Sequence, residues 1–309
     1  METLIALTIQ AGKDALNVSL YILLPIMVVM MILVKIMEVT GLLAKLTRLL
    51  APITRPFGLS GLGVLAMIQI SFVSFVAPLP TLKLMEEQGS SDRELAASFA
   101  AVLAMAPANA LFPLAVYGLN IERALLYSFI GGLVAAALTY WVFGKSLNTQ
   151  TAFKASKSAT TAEKFSLLRI INGSGRDAIE IVINIIPMLL VSLLVVQIFQ
   201  QVGLVSTLQT LFSPILQSIG IDKQLVLPSL TKYLAGSTAL VGVIQQIADK
   251  HQLTPAILSL SITGFLLHPV DLPGIAILIS AGKRLPRLLL PALSGAVVAI
   301  VLRMGLGLL

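Results

Sequence analysis

Lys232 interrupts residues 224–246, a run with no other charged side chain. An ionisable group in such a run is costly to bury and marks a functional position with a partner. Asp271 is the natural partner, with His268 alongside. Asp271 follows Pro269 just as Asn109 follows Pro107. Asn and Asp at the start of a helical arm can cap its free N–H groups, or can stand with those groups and the helix dipole facing a ligand. In the first half of the chain the position matching Lys232 is Ile70, flanked by Gln69 and Ser71. One half is therefore ionic and the other amide-like, an asymmetry suited to gripping a polar or charged solute. Ser237 and Thr238 join the candidates, with Ser74, Asn17, Glu180 and Asn184 as lesser ones. The competing reading is structural. A Lys232–Asp271 pair can simply tie two elements together, and Ser or Thr in membrane helices commonly bonds its own backbone or a neighbouring helix.

Catalytic chemistry finds no support. Cysteine is absent, which removes disulfides, thiolate metal sites and cysteine nucleophiles. The second histidine, His251, falls in an expected loop, so no zinc constellation forms with His268. Gly144-Lys145-Ser146 imitates the end of a phosphate-binding loop, but Thr139 stands at the first glycine position and no strand precedes it. The chain is not expected to be an enzyme. No cofactor is expected, and a coupling proton or sodium ion is the co-substrate that remains open.

The elements that must position these residues follow from composition. Of the 309 residues, 57% are hydrophobic and 11% charged, whereas a soluble domain carries roughly a quarter charged. Uncharged runs at 16–34, 61–82, 95–121, 124–144 and 181–221 are each long enough to cross a ~30 Å hydrocarbon core as a helix. This composition excludes a soluble enzyme and specifies an all-α, polytopic integral membrane protein. The net charge of +7 reads as a topology signal and not as nucleic-acid binding. The first apolar run lacks a basic leader and a small-residue cleavage site, so a permanent helix is expected. The methionines of 27–31 read as packing.

The chain also repeats itself. Pro25, Gly41, Pro52, Gly58 and Pro107 recur as Pro187, Gly203, Pro214, Gly220 and Pro269, each 162 residues later. Shared spacing of backbone-fixing residues means shared helix starts and turns. Each half is expected to hold a first helix (16–35; 179–197), a short interfacial segment (42–55; 204–217), a second long helix (61–76; 224–244), a proline-broken segment (92–119; 254–282) and a last helix (124–143; 288–306). Domains are expected at 1–144 and 174–309, joined by a polar linker, 145–173, in which 165–171 can form a short interfacial helix.

Charge placement decides whether the broken segment crosses. If it crosses beside a crossing second helix, the Lys and Arg residues other than Lys232 divide nine against eleven. If it is a re-entrant hairpin they divide fourteen against six, with Arg303 and the acidic loop at 86–94 on the side away from the linker. The second is a positive-inside pattern. The expectation is therefore a re-entrant hairpin at 92–119, a cytoplasmic linker and both termini outside. Three crossings per half then make the halves two inverted-topology repeats, an architecture of secondary transporters with the site at the repeat interface.

These features together resemble the nucleoside recognition, or Gate, domain family: the paired Pro25/Pro187 helices, the Gly41-to-Gly58 and Gly203-to-Gly220 turns, and the two Pro-x-Asn/Asp segments. Related modules occur in ferrous-iron transporter B, concentrative nucleoside transporters and spore maturation proteins A and B. The resemblance implies two tandem Gate modules in the cell membrane and a transporter of a small polar or charged solute, nucleoside-like compounds included. Lack of cysteine and of a GTPase motif argues against iron. The alternatives are a non-transporting protein that acts through a protein partner, and an ion channel. Expected partners are the bilayer and a small solute, with a homo-oligomer left open and nucleic acid excluded.

Overall fold

The computed structural model describes residues 2–150, 167–204, 206–207, 210–211 and 223–308, which are helical with no strand among them. Helices α1 (Glu2–Asn17) and α2 (Leu24–Val39) join through a π-helical turn at Val18–Leu23 into one long rod. Gly41, at φ 72°, ends the rod in a left-handed conformation that glycine adopts without strain. The amphipathic α3 (Leu42–Thr54) leaves Leu49 and Ile53 exposed, as an interfacial helix does. The chain then bends by 105° into α4 (Gly61–Phe72), followed by α5 (Leu79–Glu87), α6 (Asp92–Ala104), α7 (Ala108–Ala115) and α8 (Ile121–Leu138). Ser60, Ser91 and Asn120 cap α4, α6 and α8, each accepting a backbone N–H three residues on. After the linker come α9 (Leu167–Gln201), α10 (Val226–Ala235), α11 (Ser237–Asp249), α12 (Leu260–Leu266), α13 (Leu272–Ile279) and α14 (Leu285–Leu306). The expected interfacial helix at 165–171 is instead the start of α9, from Leu167 onward. Most of the expected segment 204–217, with Pro214 and Gly220, lies outside the described residues.

The largest departure from expectation concerns which segment doubles back. Thr81 Oγ1 donates to Gln69 Oε1 at 2.7 Å. Along one continuous helix, residues twelve apart lie about 18 Å from each other. Helices α4 and α5 therefore fold back across the 73–78 turn as a hairpin. In the second half α10 and α11 pack on each other on either side of Gly236, where φ is 89° and ψ 173°. The proline-broken segment does the opposite: 92–115 runs on as a single 24-residue apolar span, buried over almost all its length. Hairpin and crossing have exchanged places relative to the reading above. The first half keeps three helical stretches long and apolar enough to cross a membrane, Leu4–Val39, Asp92–Ala115 and Ile121–Phe143.

Contacts between elements sort the ends of the bundle. Arg93 donates to the carbonyls of Gly144 and Lys145, and its own N–H to Asn148 O at 3.3 Å. Glu86 accepts the backbone N–H groups of Lys283 and Arg284, and Arg284 pairs with Asp92. The acidic loop expected opposite the linker thus lies at the linker's end. Trp141 Nε1 reaches Pro56 O at the same end, while Gln197 donates to Asp14 at the other. With the hairpins in their observed places, twelve described basic residues sit at the linker end: Lys35, Lys45, Arg48, Arg55, Lys83, Arg93, Lys145, Arg169, Arg176, Lys283, Arg284 and Arg287. Four stand at the far end: Lys13, Arg123, Lys223 and Lys250. The bias is stronger than the one that motivated the hairpin at 92–119. Single cysteines at Ser90 and Ser146 should accordingly label from the same side of intact cells with an impermeant maleimide, and one at Gln252 from the opposite side. Opposite labelling of Ser90 and Ser146 would restore the original hairpin.

The spans pack closely through small side chains. Helix α6 is buried from Leu95 to Ala104, with five alanines among those ten residues. Gly132 lies against Met105 and Met67, and Gly295 against the α8 backbone at Ala135. Within a membrane such small-residue surfaces let helices approach until dispersion contacts bind them.

Candidate functional site

Two broken spans supply the centre of the molecule. Helix α6 stops at Ala104 and α7 begins at Ala108, while α12 stops at Leu266 and α13 begins at Leu272. Unwound backbone at membrane depth is tolerated where protein buries it or it lines a cavity. The two hairpin tips close on these breaks. The Phe75 N–H of the first tip donates to Asn109 Oδ1 at 3.2 Å. At the second tip Gly236 lies beside Pro273 and Asp271.

The ionic side forms around Asp271. Its Oδ1 caps α13 by accepting the Gly274 N–H at 2.7 Å, and its Oδ2 pairs with Lys232 Nζ. The Lys232 side chain is 0% exposed and that of Asp271 3%. Neither charge could stay buried alone. Lys232 also stands 5.5 Å from the ring centre of Tyr233, whose hydroxyl donates to Phe265 O. His268 is beside the pair but fully engaged. Its Nδ1 accepts the Val270 N–H at 3.1 Å, which leaves Nε2–H to donate to Phe265 O at 2.7 Å. One donor and one acceptor in use is the pattern of a neutral imidazole, so His268 shapes the break between α12 and α13 and has no nitrogen left for a solute.

Asn109 holds the amide side. Instead of capping α7 it spans the two hairpins, because its Nδ2 donates to Thr238 Oγ1 on α11 at 2.9 Å while its Oδ1 holds the first tip. Ser237 Oγ donates to His268 O at 3.4 Å. Asn109→Ala should remove both inter-hairpin bonds and leave the buried Thr238 hydroxyl and Phe75 N–H without partners, a loss of about 1–3 kcal/mol. Thermal unfolding of the purified variant measures it, and an unchanged melting temperature would show that the bridge carries no stability.

A cavity opens where these groups meet, bordered by Phe75, Leu189, Gly236, Thr238, Asp271 and Pro273. Its free volume is about 40 Å³, room for two or three waters and too little for a sugar or a base. Several sequence candidates stand elsewhere. Gln69 is used inside its own hairpin, and the buried Ser71 and Ser74 hydroxyls have no partner among the described residues. Asn17 and Glu180 are exposed on the outer helices, and the side chain of Asn184 lies outside the described residues.

Sequence reasoning missed Arg303 by assigning it to a water-facing end. The structure buries it to 2% exposure, with Nη1 donating to Ala104 O at 2.5 Å and Leu267 O at 3.0 Å, one carbonyl from each break. Gly131 leaves the space its stem occupies; a Cβ there would collide with Arg303 Cγ and Cδ. The available signal was its place within the last turn of an apolar helix of 22 residues, α14, that carries Arg287 at its other end. Sequence reasoning also missed the Phe75 N–H, since a backbone donor leaves no compositional trace.

Comparison with known proteins agrees with this architecture. Residues 20–122 match the Gate family, described as nucleoside recognition. That stretch contains Asn109 and ends before Lys232 and Asp271. No curated protein sequence matches significantly. Among solved structures, CNTnw in an inward-facing substrate-bound state is 18% identical, with a TM-score of 0.65 over 92% of this chain and 72% of that one. A CNTnw variant in an outward-facing state gives 19% and 0.63 over 93% and 76%. Another variant in an intermediate state gives 18% and 0.67 over 93% and 74%. CNTnw is a concentrative nucleoside transporter. Residues 20–122 thus match the nucleoside-recognition (Gate) family, and the chain as a whole shares the fold of CNTnw.

Proposed function

We propose that this protein is a secondary transporter that binds a small polar or charged solute between the two hairpin tips, with alternating access by movement of one part of the bundle against the other. The observation that carries this reading is the convergence of both hairpin tips on two broken spans, around a buried Lys232–Asp271 pair and a cross-hairpin Asn109. Half-helix ends meeting at such breaks present opposite dipole ends to solute and coupling ion. The 40 Å³ cavity fits a closed-down conformation in which solute entry requires the tips to part. The same fold occurs in inward-facing, outward-facing and intermediate structures of CNTnw, which supports such a movement. The recurrence of breakers at 162 residues supports two inverted halves, 1–144 and 174–309, about the linker 145–173. The basic end faces the cytoplasm on this reading, and both termini face out. A proton or a sodium ion would couple transport, with Asn109, Asp271, Lys232, Ser237 and Thr238 around the solute.

A thermal-shift screen of the purified protein against nucleosides, nucleobases, sugars and amino acids tests this, followed by uptake of any hit into proteoliposomes. The expected result is a saturable stabilisation by one solute class and uptake of the same class. Stabilisation without uptake would favour a partner-acting receptor, and uncoupled flux at channel rates would favour a pore.

A further inference from the structure

Two described basic side chains are fully withdrawn from solvent, Lys232 and Arg303. Lys232 has Asp271; Arg303 has no carboxylate partner among the described residues. Its partners are the last carbonyl of α6, Ala104 O, and the carbonyl that terminates α12, Leu267 O. Carbonyls at a helix C-terminus have no partner within their own helix. Each such terminus carries a partial charge of about −0.5. Two converging termini therefore present about one negative charge, which one guanidinium offsets. Broken-helix transporters commonly hold a metal cation at this kind of place, on unwound carbonyls and half-helix C-terminal ends.

We propose that Arg303 is a built-in cation for the two broken spans, taking the charge position that a sodium ion would otherwise fill between the α6 and α12 termini, so that the breaks assemble without a monovalent metal. The stem reaches this position across Gly131, where any Cβ would collide with it, and a Cβ on Gly264 of α12 would come within 3.0 Å of the α14 backbone at Arg303. Gly131 makes room for the arginine side chain, and Gly264 lets the α14 backbone that carries it approach α12. The carbonyls of Ala104 and Leu267 are thereby occupied, and a cation approaching them would meet a fixed positive charge. The inference deepens the transporter reading, by narrowing its coupling ion, but rests on Arg303 geometry that stands whether or not a solute is carried.

The test is thermal unfolding of the full-length protein in sodium chloride and in choline chloride at matched ionic strength, without solute. The expected melting temperatures agree within about a degree across 1–150 mM sodium. A saturable rise of several degrees with sodium would overturn the proposal. Arg303→Ala should melt at least several degrees lower and regain part of that loss in millimolar guanidinium, which fits the vacated space, and less in choline. No loss, or a loss that no small cation restores, would show that the side chain acts through packing alone and also overturns it. Should Arg303→Ala fail to fold, Arg303→Lys and Arg303→Met decide the matter, since Lys keeps the charge and Met keeps only the length. Equal stability of these two would contradict a charge role. A solute screen that finds nothing would weaken the transporter reading and leave the sodium result to stand by itself.

Discussion

Lys232→Met should lower the stability of the purified protein by about 3–5 kcal/mol, and Asp271→Asn by a comparable amount, because each leaves the other charge buried without its partner. The pair lies at 0% and 3% side-chain exposure, so water cannot take over the role of the missing group. The double variant carries no charge at the site and should recover most of the loss, since replacing both members of a buried pair is often neutral. Function separates two roles that stability cannot. If the pair only ties α10 to the break before α13, the double variant should bind and move solute once it folds. If the pair grips solute, the double variant should fold and remain inactive. A double-mutant cycle in melting temperature and in uptake distinguishes them. Additive single losses in both assays would mean that the two side chains do not interact, contrary to their observed contact.

Gly236→Ala should be the second large perturbation. With φ at 89° and ψ at 173°, Gly236 sits in a region essentially confined to glycine, and a non-glycine residue held there costs about 1–3 kcal/mol. The added Cβ would also come within 3.1 Å of Pro273 Cγ and 3.6 Å of Asp271 Oδ1. The tip can relieve this contact only by withdrawing from α13, which moves Lys232 and Thr238 on the two arms away from Asp271 and Asn109. Solute affinity should therefore fall more than stability does. Melting temperature and solute titration on the same preparation measure both, and a variant that loses stability but binds normally would place the solute away from this tip.

Composition alone determined that this is an all-helical, multi-pass membrane protein. With 11% charged residues there is too little polar surface to face water, and helices then satisfy every backbone group internally. The Lys232–Asp271 pairing was also legible in the sequence. A charge that cannot stay unpaired in an apolar run restricts its partners to the few other ions at membrane depth.

Only the tertiary structure decided which segment folds back. Residues 61–87 and 92–115 are both two short apolar helices around a break, and periodicity and hydropathy treat them alike. Either choice also leaves three crossings in the first half, so counting crossings could not separate them. The difference lies in contacts such as Gln69 with Thr81, Glu86 with the backbone of Lys283 and Arg284, and Arg93 with Gly144, which join residues far apart in sequence. Arg303 escaped notice for a related reason. A lone arginine near the end of an apolar helix can snorkel to water or turn inward. What turns it inward is a pair of helix C-termini from α6 and α12 and a gap at Gly131 on α8, and no linear pattern brings those three elements together.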